Sequence, residues 1–499
     1  MLALLGIAFL SCVFGTPALA APATDSSSRV LLARLAVQQA QLMATGTVVS
    51  QDFGYSVALS GDTALVGTVN GGGDPAVGAA YVFVRSGSTW TQQAELTNGR
   101  VGGQFGRSVA LDGDTALIGA PGDTSESPGA AYVFVRSGST WTKQAELTVP
   151  SASIGHRFGY SVALSGDTAL VGQLFPESFV EDPETAYIFV RSGSIWTQQA
   201  ELTTGVAVAA HDWFGYSVAL SGETALVGAM FGNDEAGAAY AYTRSGTTWT
   251  QQAELTAADG ATLDAFGTSV ALTGETALVG AEHHDAGGKI EPGAAYVFVR
   301  SAGSWTQQAE LTAADSVAGD HFGISVAVSG ERALVGALYH GAPGMLNAGA
   351  AYVYGLSAGS WTQQSKLTAR NGVAGDLFGL SVALSGGTAL VGAPYRPAGG
   401  MASGAAYVFV EGPERPLISR LLPTSGRRRT AVVITGTGFG ARRSTSYVKF
   451  GTTKCGTYLT WSDTRIRCRV PAKARFGLLT VRVKTAVGSS NPKYFRVKR

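Results

Sequence analysis

Hydrophobic and polar positions along most of the chain fall into one pattern that recurs seven times. Its clearest marker is Phe-Gly, at Phe53, Phe105, Phe158, Phe214, Phe266, Phe322 and Phe378, with spacings of 52 to 56 residues. Within each copy, short apolar runs are separated by Gly, Ser and Asp, which predicts strands and turns rather than helices. Four strands are predicted per copy. In the first copy they span residues 56–59, 64–67, 80–84 and 90–97. Ser60-Gly61-Asp62-Thr63 forms a short hairpin turn between the first two, and a second Ser-Gly turn joins the last two. In the fourth strand Trp90, Gln92, Ala94 and Leu96 alternate with Thr91, Gln93, Glu95 and Thr97, a period of two that predicts a half-exposed strand.

Residue size has a direction within each copy. The first two strands are built from small residues, with an equivalent glycine at Gly67, Gly119, Gly172, Gly228, Gly280, Gly336 and Gly392. The last two carry Tyr, Phe and Trp. Sheets packed around an axis crowd toward the centre, so this gradient predicts a seven-bladed β-propeller of four-stranded blades. The seventh copy ends after Ala406-Tyr407-Val408-Phe409-Val410 with no Trp strand. The N-terminal stretch Val37-Gln38-Gln39-Ala40-Gln41-Leu42 matches the missing piece, Thr91 to Leu96. The N-terminal strand is therefore expected to complete the last blade and close the ring, leaving no free edge. After the repeats, residues 416–498 show short alternating strands at 431–435, 447–450, 465–470, 479–484 and 493–497, which predict an Ig-like β-sandwich. The fold class is all-β, with a propeller over 35–412.

Composition supports that class. Only 14% of residues are charged and 67 of 499 are Gly. This excludes a disordered chain and a helical bundle. Charge is unevenly placed. Residues 415–499 hold 20 Lys and Arg against one acid, Asp463, a balance of +19 that leaves −18 for the rest. Residues 1–20 are an apolar run ending in Ala18-Leu19-Ala20, which predicts a secretory signal peptide cut after Ala20, followed by a linker over 21–34. No later stretch has the length of a membrane span. A secreted or cell-surface location is expected, and with it one disulfide between Cys455 and Cys468.

On these residues the repeats resemble the FG-GAP repeats of the integrin alpha-chain propeller and of bacterial exported proteins. Gly-Ala-Pro is literal at Gly119-Ala120-Pro121 and Gly392-Ala393-Pro394. The resemblance implies extracellular binding or adhesion. It does not extend to integrin-type calcium loops. The turn between the first two strands holds one acid, Asp62, Asp114, Asp167, Glu223, Glu275 or Glu331, and Gly387 in the last copy. One carboxylate does not supply the six to eight oxygens calcium takes, so these acids are expected to be solvated. The C-terminal segment is similar to IPT/TIG domains through Pro423-Thr424-Ser425-Gly426, Ile434 to Gly440, Val448 to Gly451, Cys455 and Ile466 to Pro471. In extracellular members of that family such a cysteine pair is commonly bridged.

The loops that vary in length join strands two and three, and strand four to the next copy. Both emerge on one face, so the ligand is placed there. The candidates are His211, Asp212 and Trp213, then His283, His284 and Asp285, then Asp320, His321 and His340. His and Asp are metal-ligand types, but their spacing forms no motif, and no metal or cofactor is assigned. Asp212, Asp264, Asp320 and Asp376 each precede a Phe-Gly by two residues, which predicts a turn role, side chain to backbone. Arg427, Arg428, Arg429, Arg442 and Arg443 are candidates for binding an acidic polymer, with nucleic acid unexpected outside the cell. No nucleophile elbow, zinc-protease motif or P-loop occurs. The expectation is a non-enzymatic exported protein that binds a glycan, matrix or protein ligand. An extracellular polymer hydrolase or lyase, and a structural envelope scaffold, are the alternatives.

Overall fold

The computed structural model describes residues 36–45, 52–69, 78–98, 103–122, 127–150, 155–174, 184–204, 212–341, 344–398, 401–411, 416–485 and 488–499. The expected leader, its cleavage site after Ala20, the linker 21–34 and His211 lie outside the described residues. Every element in the described part is a strand.

Seven four-stranded antiparallel sheets form the blades. Blade 1 comprises Ser56–Ser60, Thr63–Thr68, Ala79–Ser86 and Thr89–Leu96. Blades 2 to 6 repeat it. Blade 7 takes Val382–Ser385, Thr388–Ala393 and Ala405–Glu411 from the end of the repeats and Ala36–Leu42 from the beginning. The N-terminal strand sits in the register of a true fourth strand. Leu42 faces Ala406 as Leu96 faces Ala80, and Ala40 faces Val408 as Ala94 faces Val82.

The alternation expected in strand four is interrupted. Val82 pairs with Ala94 and Phe83 with Gln92, so Gln93 is the extra residue of a β-bulge. The bulge re-aims Gln93, whose Oε1 accepts the Trp141 Nε1–H of the next blade at 2.9 Å. The same bond recurs from Trp90 to Gln39, Trp196 to Gln144, Trp249 to Gln199 and Trp361 to Gln308.

First strands of neighbouring blades pack against each other around the ring, blade 7 against blade 1 included. The template serine of each first strand donates to the carbonyl of the next blade's Phe-Gly glycine. The bonds run Ser56 to Gly106, Ser108 to Gly159, Ser161 to Gly215, Ser217 to Gly267, Ser269 to Gly323, Ser325 to Gly379 and Ser381 to Gly54, at 2.7–3.0 Å. The glycine expected to be small for crowding has a specific reason. At Gly119 a Cβ would overlap the Gly159 carbonyl and the Ser108 hydroxyl. Between blades lie seven apolar clusters, one per interface. Each Phe of Phe-Gly is buried there, 5.5–5.6 Å from the third-strand tyrosine of its own blade.

The turn acids are not simply solvated. Asp62, Asp114, Asp167, Glu223 and Glu275 each bind the third-strand arginine of their blade, Arg85, Arg136, Arg191, Arg244 and Arg300. That arginine also lies over its blade's tryptophan, 5.3–5.5 Å from the ring centre. In four blades it reaches a threonine of the preceding blade: Thr388, Thr63, Thr115 or Thr168. Blade 7 reverses the charges. Glu411 stands in the arginine position and binds Arg332, which stands in the threonine position of blade 6.

Residues from Leu417 to Val497 form two sheets, one of Leu417–Leu422, Ala431–Thr437, Arg465–Arg469 and Tyr458–Trp461, the other built on Gly477–Thr485. Ile434, Phe439, Val448, Ile466, Val481 and Phe495 fill the space between them. The expected disulfide is not formed. Cys455 and Cys468 are buried free thiols in hydrogen-bond contact. The Cys455 sulfur is taken up by backbone carbonyls, 2.9 Å from Arg469 and 3.3 Å from Thr457.

Candidate functional site

The hairpin face is uniform, so discriminating chemistry falls on the other face. Just before each Phe-Gly the chain makes a left-handed turn at Asp52, Gln104, Arg157, Trp213, Ala265, His321 or Leu377, with φ of 45–65°. The turn drives the phenylalanine into the core. The residue after each glycine begins the inner wall, so Tyr55, Arg107, Tyr160, Tyr216, Thr268, Ile324 and Leu380 border the axis.

Five of these residues take part in two runs of contacts. Arg107 Nη1 donates to the Tyr55 hydroxyl at 2.8 Å and its guanidinium lies 4.1 Å from the Tyr160 ring centre. Tyr160 meets Tyr216 at 5.4 Å. Tyr216 stacks on Trp213, and Trp213 meets Phe231 edge-on at 5.1 Å. In the next blade Thr268 donates to Glu282 at 3.0 Å, and Glu282 lies 3.2 Å from His321 Nδ1. His321 meets His283 at 4.7 Å and Tyr339 at 4.9 Å, ring centre to ring centre. Among the described residues no carboxylate pairs with Arg107. Burial works to lower its pKa, but the oxygens of Tyr160 and Tyr55 outweigh this and raise it. Burial, then Tyr160 and Glu282, push the Tyr216 phenol well up.

Further out, three of the four aspartates two residues before Phe-Gly, Asp264, Asp320 and Asp376, play the predicted turn role and one more. Asp264, Asp320 and Asp376 accept the backbone N–H three residues earlier, from Ala261, Val317 and Val373, at 2.7–2.9 Å. Each also holds a cationic or cation-capable group of its blade's other loop. Asp264 binds His284 Nδ1 and Asp320 binds His340 Nδ1, both at 2.8 Å, and Asp376 binds Arg396 at 2.9 Å.

The sequence candidates therefore separate. His283 and His321 come together with Glu282. His284 joins Asp264, Asp259 and Glu310, and His340 joins Asp320, Asp315 and Lys366. Asp285 stays apart, its carboxylate accepting the Glu291 N–H within the same loop. Asp212 accepts the Phe231 N–H through its carbonyl, beside Trp213. His156 is buried against Gln173. Sequence reading passed over Glu282, Asp259, Glu310, Asp315 and Lys366. The fourth-strand positions looked like template residues, and Glu282 stood beside His283 unremarked. Burial and then Asp259 raise Glu310, whereas Lys366 and Tyr352 outweigh burial and hold Asp315 low.

The FG-GAP repeat family matches residues 36–83, 90–134, 141–189, 196–242, 249–298, 305–354 and 361–409. This chain belongs to the FG-GAP repeat family. Each matched unit begins in a fourth strand and ends in the third strand of the next blade, so Ala36–Leu42 opens the first unit as the ring closure requires. The IPT/TIG domain matches residues 416–497 of this FG-GAP protein. Two cyclomaltodextrin glucanotransferases are similar over short stretches. That of Thermoanaerobacterium thermosulfurigenes is 31% identical over 90 residues, 18% of this chain and 12% of the enzyme. That of Bacillus sp. (strain 17-1) is 30% identical over 148 residues, 28% of this chain and 18% of the enzyme. The chain thus spans less than a fifth of these curated relatives. Among solved structures, a fungal alcohol oxidase of the AA5 family in complex with copper is similar at a TM-score of 0.43 and 13% identity, over 92% of this chain and all of that one.

In the IPT/TIG domain Arg427, Arg428 and Arg429 occupy one exposed turn, with Arg428 stacked 4.1 Å from the centre of Phe476. Arg442 and Arg443 are exposed on another, Arg443 over Tyr458. A further row was hidden by alternation. Arg465, Arg467 and Arg469 point outward from one strand while Ile466 and Cys468 point into the core.

Proposed function

We propose that this FG-GAP protein is an extracellular binding protein that takes a glycan at the axial mouth of its loop face. The observation that carries the reading is the run of half-exposed aromatic rings beside Arg107, an arginine with no carboxylate partner among the described residues. Sugar rings pack their C–H faces on Trp and Tyr, whose polar tips stay available for hydroxyls. Arg107 gives the mouth one cationic donor set, suited to a sugar carboxylate or sulfate. Trp213 stacks on Tyr216, and Tyr395, exposed at the rim, offers a further platform. The test is a glycan array at low and physiological salt with the full chain, Trp213→Ala and Tyr395→Ala. Each substitution is expected to weaken binding about tenfold, or ~1.4 kcal/mol. Equal binding by all three proteins overturns the reading.

A second reading concerns the IPT/TIG domain, and the outward row Arg465, Arg467 and Arg469 beside the Arg427–Arg429 turn favours it. We infer that this surface holds acidic polymers through charge. Such binding weakens steeply with salt. Retention on a sulfated polymer should fall when the three row arginines become Gln, while glycan binding at the mouth stays unchanged.

A further inference from the structure

Blades 5 and 6 carry the same constellation at the same repeat positions, with one difference. In blade 6, His340 gives its Nδ1–H to Asp320 at 2.8 Å, which leaves the Nε2 lone pair facing outward. The Lys366 ammonium sits against that Nε2 at 2.6 Å and against Asp315 at 2.8 Å. In blade 5, His284 gives its Nδ1–H to Asp264, also at 2.8 Å, and its Nε2 faces Asp259 at 3.8 Å, beyond hydrogen-bond reach. The ring stands 5.8 Å from Tyr296, as His340 stands 6.0 Å from Tyr352. Where blade 6 has Lys366, blade 5 has Glu310. Blade 7 follows blade 6: Arg396 occupies the histidine position and binds Asp376 and the Asn371 carbonyl. Two of three equivalent sites thus hold a cation carried by the chain. In the third, a buried imidazole nitrogen and two carboxylates converge, their ligand atoms within 4.8 Å of one another.

We propose that Asp259, His284 and Glu310 bind one divalent transition cation of the zinc class. One imidazole and two carboxylates suit such an ion. Asp264 is the positioning residue: it fixes the tautomer and the ring, the arrangement common behind metal-bound histidines. The ion ties the loop before blade 5 to its outermost strand, as Lys366 does in blade 6. This site lies apart from the axial mouth, and its test does not depend on a glycan.

The experiment is zinc titration by calorimetry on the full chain, with metal content and melting temperature read in parallel. Glu310→Lys reproduces the blade 6 arrangement, so it should fold normally, lose one bound zinc and lose the zinc-dependent rise in melting temperature. Lys366→Glu should gain one zinc. Asp264→Asn should weaken binding about 10- to 100-fold. Zinc binding unchanged by Glu310→Lys overturns the proposal, as does zinc lost with His283→Ala or His321→Ala but kept with Glu310→Lys.

Discussion

The two faces of the propeller are made by the same repeats, yet they handle charge in opposite ways. On the hairpin face an exposed acid meets an arginine partly covered by its blade's tryptophan, five times over. Asp62 is 63% exposed and Arg85 is 22% exposed. On the loop face the partners are sunk into the protein. Asp376 is fully buried and Arg396 is 13% exposed. A surface pair contributes little because water and salt compete for both groups. A buried pair adds modest net stability, but removing one partner strands the other. The hairpin face can therefore repeat its pairs, or reverse them in blade 7, at small cost. On the loop face the buried aspartate keeps a partner in blades 5, 6 and 7, His284, His340 or Arg396, while the more exposed position beside it changes freely, from Glu310 to Lys366.

This contrast can be broken or sharpened by denaturation. Asp376→Ala should destabilise the propeller most, by about 3 kcal/mol, because the largely buried Arg396 guanidinium loses its only carboxylate among the described residues and keeps just the Asn371 carbonyl. If it costs no more than a surface change, the contrast fails. Gly119→Ala should come next, at about 2 kcal/mol, since its Cβ collides with the Gly159 backbone of the next blade, which cannot step aside, as well as with the Ser108 hydroxyl. Arg85→Ala should cost at most about 1 kcal/mol, and that loss should shrink in 1 M salt while the Asp376→Ala loss does not. The smallest effect belongs to the double change Arg332→Thr with Glu411→Arg, which restores the arginine and threonine of the template while Gly387 still stands in place of the turn acid. It should lie near zero, with each single change worse than the pair.

The architecture was legible because each of its devices repeats. Phe-Gly marked seven inner turns, the gradient from Gly to Trp gave the inside of each blade, and Gln38-Gln39-Ala40 announced the closing strand. What stayed hidden needed a third dimension. The bulge at Gln93 leaves no mark on a sequence already rich in Gln, and it showed only when Trp141 reached it. His283 and His284 are adjacent in the chain but serve different neighbours, because successive loop residues point in different directions. Asp259 and Glu310 lie on different elements, and nothing in their spacing brings them together. The arginine row of the C-terminal domain is spread through a strand whose alternate residues, Ile466 and Cys468, face the core, so its three charges gather on one face only once the strand is formed.

The seam in blade 7 also sets an order of events. The strand that enters the ring at Val37 is made first, and its partner Val410 is made near the end. Between them runs a loop of roughly 370 residues, whose closure costs about 5 kcal/mol of chain entropy. Until it closes, six blades can form in succession while the seventh keeps an open edge. The ring is thus held by a clasp whose two halves lie at opposite ends of the repeats, and opening it leaves the edges of strands Ala36–Leu42 and Ala405–Glu411 unpaired.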